Sequence, residues 1–147
     1  MCESTLGRMI DFAFEHKDII PSLTNHETWL RRLASHHNAE ISDIAYIFCS
    51  DNRLLKLNQT YLKHDYYTDI LTFDRTEGKI LSGDIYISLD RVQENANKYE
   101  VSFEEELRRV MAHGILHMLG IDDKTERGRQ KMNSAENKAL ELFHVKQ

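Results

Sequence analysis

The apolar positions change their period along the chain, and each change marks an element. Ile10, Phe12 and Phe14 alternate with Asp11 and Glu15, the two-residue repeat of a half-buried strand. Pro21 punctuates the connection that follows. Thr24-Asn25-His26-Glu27 reads as a capping box, and His26, Trp29, Leu30 and Leu33 fall on one face of a helix over about 27–37. Residues 44–49 are almost wholly apolar and rich in strand formers, the mark of a strand covered on both faces. Asp51 can cap a second helix reaching about residue 61, with Leu54, Leu55, Leu57 and Leu62 on its apolar side. A polar and aromatic connection over 63–69 leads to a short strand, 70–73. Thr76-Glu77-Gly78 turns the chain into another strand, 83–88, so these two predict a hairpin.

Beyond residue 88 the period is helical. Val92, Ala96 and Tyr99 mark a helix over 89–99. Ser102-Phe103-Glu104-Glu105 is a second capping box, opening a helix whose apolar stripe is Leu107, Val110, Met111, Gly114 and Met118. Thr125 can cap a last helix to about residue 143, with Met132, Ala135, Ala139, Leu140 and Phe143 facing inward. The order predicts an α+β fold, a four-stranded mixed sheet packed against about five helices. The first two strands are expected to be parallel, because a helix lies between them. No repeat or break in composition interrupts residues 1–147, which reads as one domain.

A chain of 147 residues, 41% apolar and 29% charged, can bury a core of its own. No apolar run approaches the ~18 residues that span a bilayer. The first residues carry neither a basic nor an apolar leader pattern, so a cytoplasmic location is expected, with no membrane partner. Cys2 and Cys49 have no metal-pair spacing and are expected to be reduced thiols. The net charge of −5 argues against indiscriminate coating of nucleic acid. It leaves room for a local basic patch, since Arg31, Arg32, Arg53, Lys56, Lys63, Arg75 and Lys79 all precede residue 80.

The chemistry concentrates in His113-Gly114-Ile115-Leu116-His117-Met118-Leu119-Gly120-Ile121-Asp122-Asp123. Residues four apart on a helix share a face, so His113 and His117 set two imidazoles side by side at the edge of the apolar stripe. Gly120 suits the left-handed residue that ends a helix. The chain can then fold back and bring Asp122 or Asp123 to the same point. Two imidazoles and one carboxylate leave one coordination position open, the pattern of a catalytic rather than a structural zinc site. Paired histidines at this spacing also occur in ordinary helices; here the turn and the acidic pair favour the metal. Gly114 stands where the H-E-x-x-H peptidases carry their general base, so the site reads as hydrolytic without being an ordinary zinc peptidase.

Other polar residues have weaker patterns. Asp65 and Asp69 lie in a connection, where functional groups gather, yet Asp69 and Asp84 can equally cap backbone. His64 can contact phosphate or face solvent. Glu104, Glu105 and Glu106 fit the N-terminal end of a helix dipole. Tyr66 and Tyr67 could stack on bases, whereas Trp29 belongs to an apolar face.

Three segments together resemble the YbeY family, the single-domain, metal-dependent endoribonucleases of ribosomal RNA maturation and ribosome quality control. His113-Gly114-Ile115-Leu116-His117 with Gly120 and Asp123 resembles the family's H-G-x-L-H-x-x-G-x-D-H signature. Residues 57–73, including Asn58, Tyr61, Asp65 and Thr68-Asp69-Ile70-Leu71-Thr72-Phe73, resemble its second motif, and Gly83-Asp84-Ile85 its third. The similarity spans about 40–125. It implies a zincin-like metal helix with one zinc on His113, His117 and Asp123, and single-stranded RNA as substrate, ribosomal RNA or the small ribosomal subunit being the expected partner. Basic side chains, among them Arg53, Lys63 and His64, would hold phosphates, with Lys63 or His64 as weak candidates for a catalytic role. No general base can be named.

Two departures matter. The third ligand is commonly histidine in the family, and Asp123 adds a negative charge that makes the metal less electrophilic and its water harder to ionise. An arginine often follows the tyrosine of the second motif, and here that position is Leu62. The alternatives are a ribosome-associated assembly factor with a structural zinc, which Leu62 favours, and a zincin-type peptidase or amide hydrolase, which Gly114 disfavours.

Overall fold

A computed structural model describes residues 9–144. The elements run β1 (Met9–Phe14), α1 (His26–His36), β2 (Glu40–Cys49), α2 (Asp51–Leu62), β3 (Ile70–Asp74), β4 (Ile80–Ser88), α3 (Leu89–Tyr99), α4 (Phe103–Met118) and α5 (Glu126–Phe143). The four-stranded sheet has the order β1-β2-β4-β3. β1 pairs parallel with β2, and β2 parallel with β4, while β3 runs antiparallel along β4 as the outer arm of the hairpin. The mixed α+β sheet is therefore as the hydrophobic pattern predicts. β2 and β4 lie in the middle and are covered on both sides, which is why 44–49 reads as an unbroken apolar run.

The two faces of the sheet differ in depth. Ile44, Tyr46, Phe48, Ile85 and Ile87 point into the main core, where α1, α3, α4 and α5 supply Leu30, Val92, Leu107, Met111, Ile115 and Met132. Each such side chain, fully withdrawn from water, contributes about 1.5–3 kcal/mol. On the opposite face α2 covers a smaller cluster of Cys49, Leu54, Leu57 and Leu71, with Phe73 and Tyr86 beside it. Two hydrogen bonds tie the main core across layers. The Tyr46 hydroxyl donates to the Met111 carbonyl (2.8 Å), and Trp29 Nε1 donates to the Ala139 carbonyl (2.8 Å).

Several local expectations need correcting. β2 and β4 begin about three or four residues earlier than their apolar runs, because backbone pairing continues through Glu40, Ile41, Ile80 and Leu81. The capping box at Thr24 does not form: Asn25 is left-handed (φ 68°), no side chain caps α1, and His26 N instead donates to the Leu23 carbonyl. Ser50, not Asp51, caps α2 by accepting from Arg53 N at 3.2 Å. The Asp51 carboxylate is taken up by Ser88 (3.0 Å) and Arg91 (2.7 Å). Leu62 and Tyr99, read as apolar-face residues, are the last residues of their helices and stand exposed. Ser102 and Thr125 do cap α4 and α5. Cys49 is a buried free thiol whose pKa burial pushes up to about 12, and Cys2 lies outside the described residues. No helix of the described residues is long and apolar enough to cross a membrane.

Candidate functional site

α4 crosses the main-core face of the sheet at very close range. A Cβ on Gly114 would lie 3.0 Å from Ile85 Cδ1 and 3.3 Å from Ile70 Cδ1. A glutamate there would press into the sheet, so the absent peptidase base follows from packing. Beside this contact, α4 carries Glu106, Arg109, Val110 and His113, all lining a cavity of about 170 Å³ with Asp69 and Glu136.

His113 is the centre of that face. Its Nδ1 lies 2.7 Å from Glu136 Oε2 on α5, and its Nε2 lies 3.7 Å from Asp123 Oδ2. Asp123 arrives there because Gly120 ends the helix with φ +98°, its N–H donating to the His117 carbonyl. Asp122 is occupied locally, accepting from Lys124 N at 2.9 Å. Asp123 is thus the member of the acidic pair turned toward the histidine. His117, one turn on from His113, is exposed.

The electrostatics are those of a half-enclosed acidic site. Burial raises the pKa of Glu106 to about 7, with the Asp69 charge adding to it. Asp69 is raised too, by burial, against the pull of His113. Burial alone would lower His113, but the hydrogen bond and charge of Glu136, with Asp123 and Asp69, more than offset it and leave its pKa raised.

A metal fits part of this arrangement as it stands. In a tetrahedral zinc site with bonds of roughly 2.0–2.1 Å, neighbouring ligand atoms sit about 3.4 Å apart. The 3.7 Å between His113 Nε2 and Asp123 Oδ2 is close to that, and a carboxylate on the far ring nitrogen is the usual partner of a metal-binding histidine. Among the described residues no three His, Cys, Asp or Glu side chains are already gathered at metal-binding spacing, so His117 would have to turn in.

The other candidates lie apart from this cavity. Lys63 is the left-handed C-cap of α2 (φ 57°) and His64 N donates to the Asn58 carbonyl, with the His64 ring stacked on Tyr66 at 5.1 Å. Arg53 lines a groove of about 450 Å³ with Lys56, Tyr61, Phe73 and Tyr86, and pairs with Glu15 at 3.5 Å. Asp65 accepts from Gln59, and Asp84 pairs with Arg75. Trp29 is core, while Tyr66 and Tyr67 are exposed. Glu104 and Glu105 face solvent at the start of α4, but Glu106 is only 5% exposed, which corrects its reading as a mere dipole charge. Glu136 and Arg109 escaped the sequence reading. The signal was present: Glu136 falls between Met132 and Ala139 in the inward stripe of α5, where a carboxylate needs a partner.

Fold and site define a small α+β domain that lays a histidine-bearing helix across a mixed sheet and folds a carboxylate back onto it. The family described as "Endoribonuclease YbeY" matches residues 11–144, and the chain belongs to it. "Endoribonuclease YbeY" of Christiangramia forsetii is 47% identical over 138 residues, covering 94% of this chain and 96% of that protein. Its counterpart in Phocaeicola vulgatus is 50% identical over 128 residues, covering 86% and 93%. The solution structure of TM1509 from Thermotoga maritima superposes with a TM-score of 0.69 at 29% identity, over 92% of this chain and 89% of that one.

Proposed function

We propose that this chain is a metal-dependent endoribonuclease of single-stranded RNA, with His113, His117 and Asp123 as the ligands of one zinc ion and ribosomal RNA as its substrate. The names of the relatives support the reaction. The observation that carries the site is His113, whose Nδ1 is occupied by Glu136 and whose Nε2 is left facing Asp123. A bound zinc ion supplies Lewis acidity at a phosphoryl oxygen and a lowered pKa for water.

The chain's own groups do the rest. Asp123 brings a negative charge against His113 and keeps the site from being strongly cationic. Lys56, and Arg53 once released from Glu15, line the groove beneath α2 and suit a phosphate backbone, with Asp84 there neutralised by Arg75 and with Tyr61 and Tyr86 as faces on which bases can stack. Lys63 and His64, exposed beyond the end of α2, suit the same backbone. Glu106, whose pKa burial raises to about 7, is able to exchange a proton near neutral pH, and Asp69 beside it is likewise raised by burial.

Zinc content by elemental analysis, paired with cleavage of a single-stranded RNA, tests the reading. One zinc per chain in the wild type, lost along with cleavage in a folded His113→Ala/His117→Ala variant, is the expected result. A zinc-free, active wild type would overturn it. Leu62, 43% exposed at the position where the family often carries arginine, favours a second reading as an assembly factor. Zinc without cleavage would select that one.

A further inference from the structure

α4 carries Arg109 and His113 one turn apart, and a single carboxylate of α5 reaches both. Glu136 Oε1 accepts from Arg109 Nη1 at 2.9 Å, and Oε2 lies 2.7 Å from His113 Nδ1. The carboxylate is buried, with the residue only 8% exposed. Arg109 is itself fixed by the residues that flank Glu136 on α5: Nη2 donates to Asn137 Oδ1 at 2.7 Å and Nη1 to Asn133 Oδ1 at 3.4 Å. Both carboxylate oxygens are therefore committed, and neither can swing away without breaking a charge-assisted bond.

An ionised carboxylate only accepts hydrogen bonds. Its partner Nδ1 must then carry the proton, and a neutral imidazole has just one. Nε2 becomes the lone-pair nitrogen, the one that faces Asp123. A free imidazole side chain in water favours the opposite tautomer, so this choice is imposed by the protein.

We propose that Glu136, anchored by Arg109, is the positioning residue of the site: it selects the Nδ1-protonated tautomer of His113 and fixes the ring so that Nε2 alone is offered to the metal. This rests on the metal-site reading above. Its consequence is that α5 controls a ligand carried by α4. Arg109 acts one step further back and matters less.

The substitution Glu136→Gln inverts the arrangement rather than merely deleting it. Arg109 can only donate, so it captures the new carbonyl oxygen, and the amide NH₂ is left facing His113 Nδ1. That nitrogen must then accept, and the proton moves to Nε2. Nitrogen-15 spectra of the imidazoles in metal-free protein, followed upward in pH until the His113 signals stop changing, read this directly. Wild type is expected to show a protonated Nδ1 and an unprotonated Nε2 for His113, and Glu136→Gln the reverse. Zinc affinity by chelator competition should fall about 10–100-fold in the same variant.

A purely structural Glu136 would lower the melting temperature and leave the nitrogen pattern as it was, which overturns the proposal. Unchanged zinc affinity with an inverted tautomer also overturns it. Should Glu136→Gln fail to fold, Arg109→Gln provides the second arm. The tautomer is then retained and zinc binding weakens only a few-fold; a loss as large as that from deleting a ligand would overturn the order of action. Wild type that shows the protonated Nδ1 but takes up no zinc overturns the metal reading, whereas the nitrogen spectra judge Glu136 separately.

Discussion

The two faces of the sheet carry different kinds of surface. Beneath α1, α3, α4 and α5 the core is deep, and the polar groups on it are clamped: His113 to Glu136, Glu136 to Arg109, Tyr46 to the Met111 carbonyl. Beneath α2 the core is thin, and the neighbouring groove is open and lined by Arg53, Lys56 and exposed Tyr61. Chemistry needs reacting groups held to within a fraction of an ångström, which dense packing supplies. A flexible polymer needs a surface that tolerates many sequences, which loosely held cations and ring faces supply. On the function proposed above, one sheet separates the two tasks.

The sharpest break of this comparison is expected at His117. Its replacement by alanine should lower RNA cleavage by about a thousandfold or more, since metal activation is worth several kcal/mol and each 1.36 kcal/mol is tenfold. Because His117 is exposed, unfolding in urea should shift by less than about 1 kcal/mol. A comparable loss of stability would make the residue structural.

Next comes the difference in depth. Ile115→Ala removes a fully buried side chain of α4 from the deep core and should cost about 3–5 kcal/mol. Leu54→Ala, in the thin cluster, should cost about 2–3 kcal/mol, because a one-helix layer can settle into the space. Equal losses by urea denaturation would remove the distinction.

Glu106 gives a smaller effect with a signature in pH. The folded protein holds its proton up to about pH 7, whereas an ordinary glutamate releases it near 4.5. The native state therefore binds more protons between these values, and stability falls as pH rises through the window. Glu106→Gln removes that dependence. It should be more stable than wild type by on the order of 2–3 kcal/mol above pH 7, and by little below 4.5. Thermal melts across the window check it; a difference independent of pH would refute it.

The smallest expected effect lies in the groove. Lys56→Ala should weaken RNA binding by a few-fold, about 0.5–1 kcal/mol, leave kcat unchanged and flatten the salt dependence. An undiminished affinity would take the groove out of the RNA path.

The sequence made the sheet and its helices legible because period and composition agreed there. The apolar run at 44–49, rich in strand formers, read as a central strand and is one, and Ser102 and Thr125 cap their helices as read. The nearness of His113 to the acidic pair was legible because the spacing and the Gly120 turn are local geometry, whereas spacing left Asp122 and Asp123 open and only the family resemblance pointed to Asp123. Glu136 and Glu106 were not legible, since their partners come from other elements: residue 136 meets residue 113 only after two helices have docked. Thr24 failed for the converse reason. The motif was present, but the backbone entered α1 through a left-handed Asn25 and left the cap nothing to hold.

Gly128, at the start of α5, bears on how the molecule breathes. A Cβ there would come within 2.0 Å of the Asp122 carbonyl oxygen, so the loop bearing Asp123 rests directly on the backbone of α5. Thr125 caps the same turn, accepting from Gly128 N at 3.0 Å. The loop leaves α4 through hydrogen bonds from Gly120 and Ile121 to the His117 and Leu116 carbonyls, and from Asp122 onward it packs on the helix after it. When the native state opens locally, Asp123 should travel with α5, and the amides of 122–125 should exchange with solvent at the pace of α5 while those around His113 stay closed. That exchange pattern would put two of the three proposed ligands on one cooperative unit and the third on another, and would let the site come apart and reassemble without unfolding of the sheet.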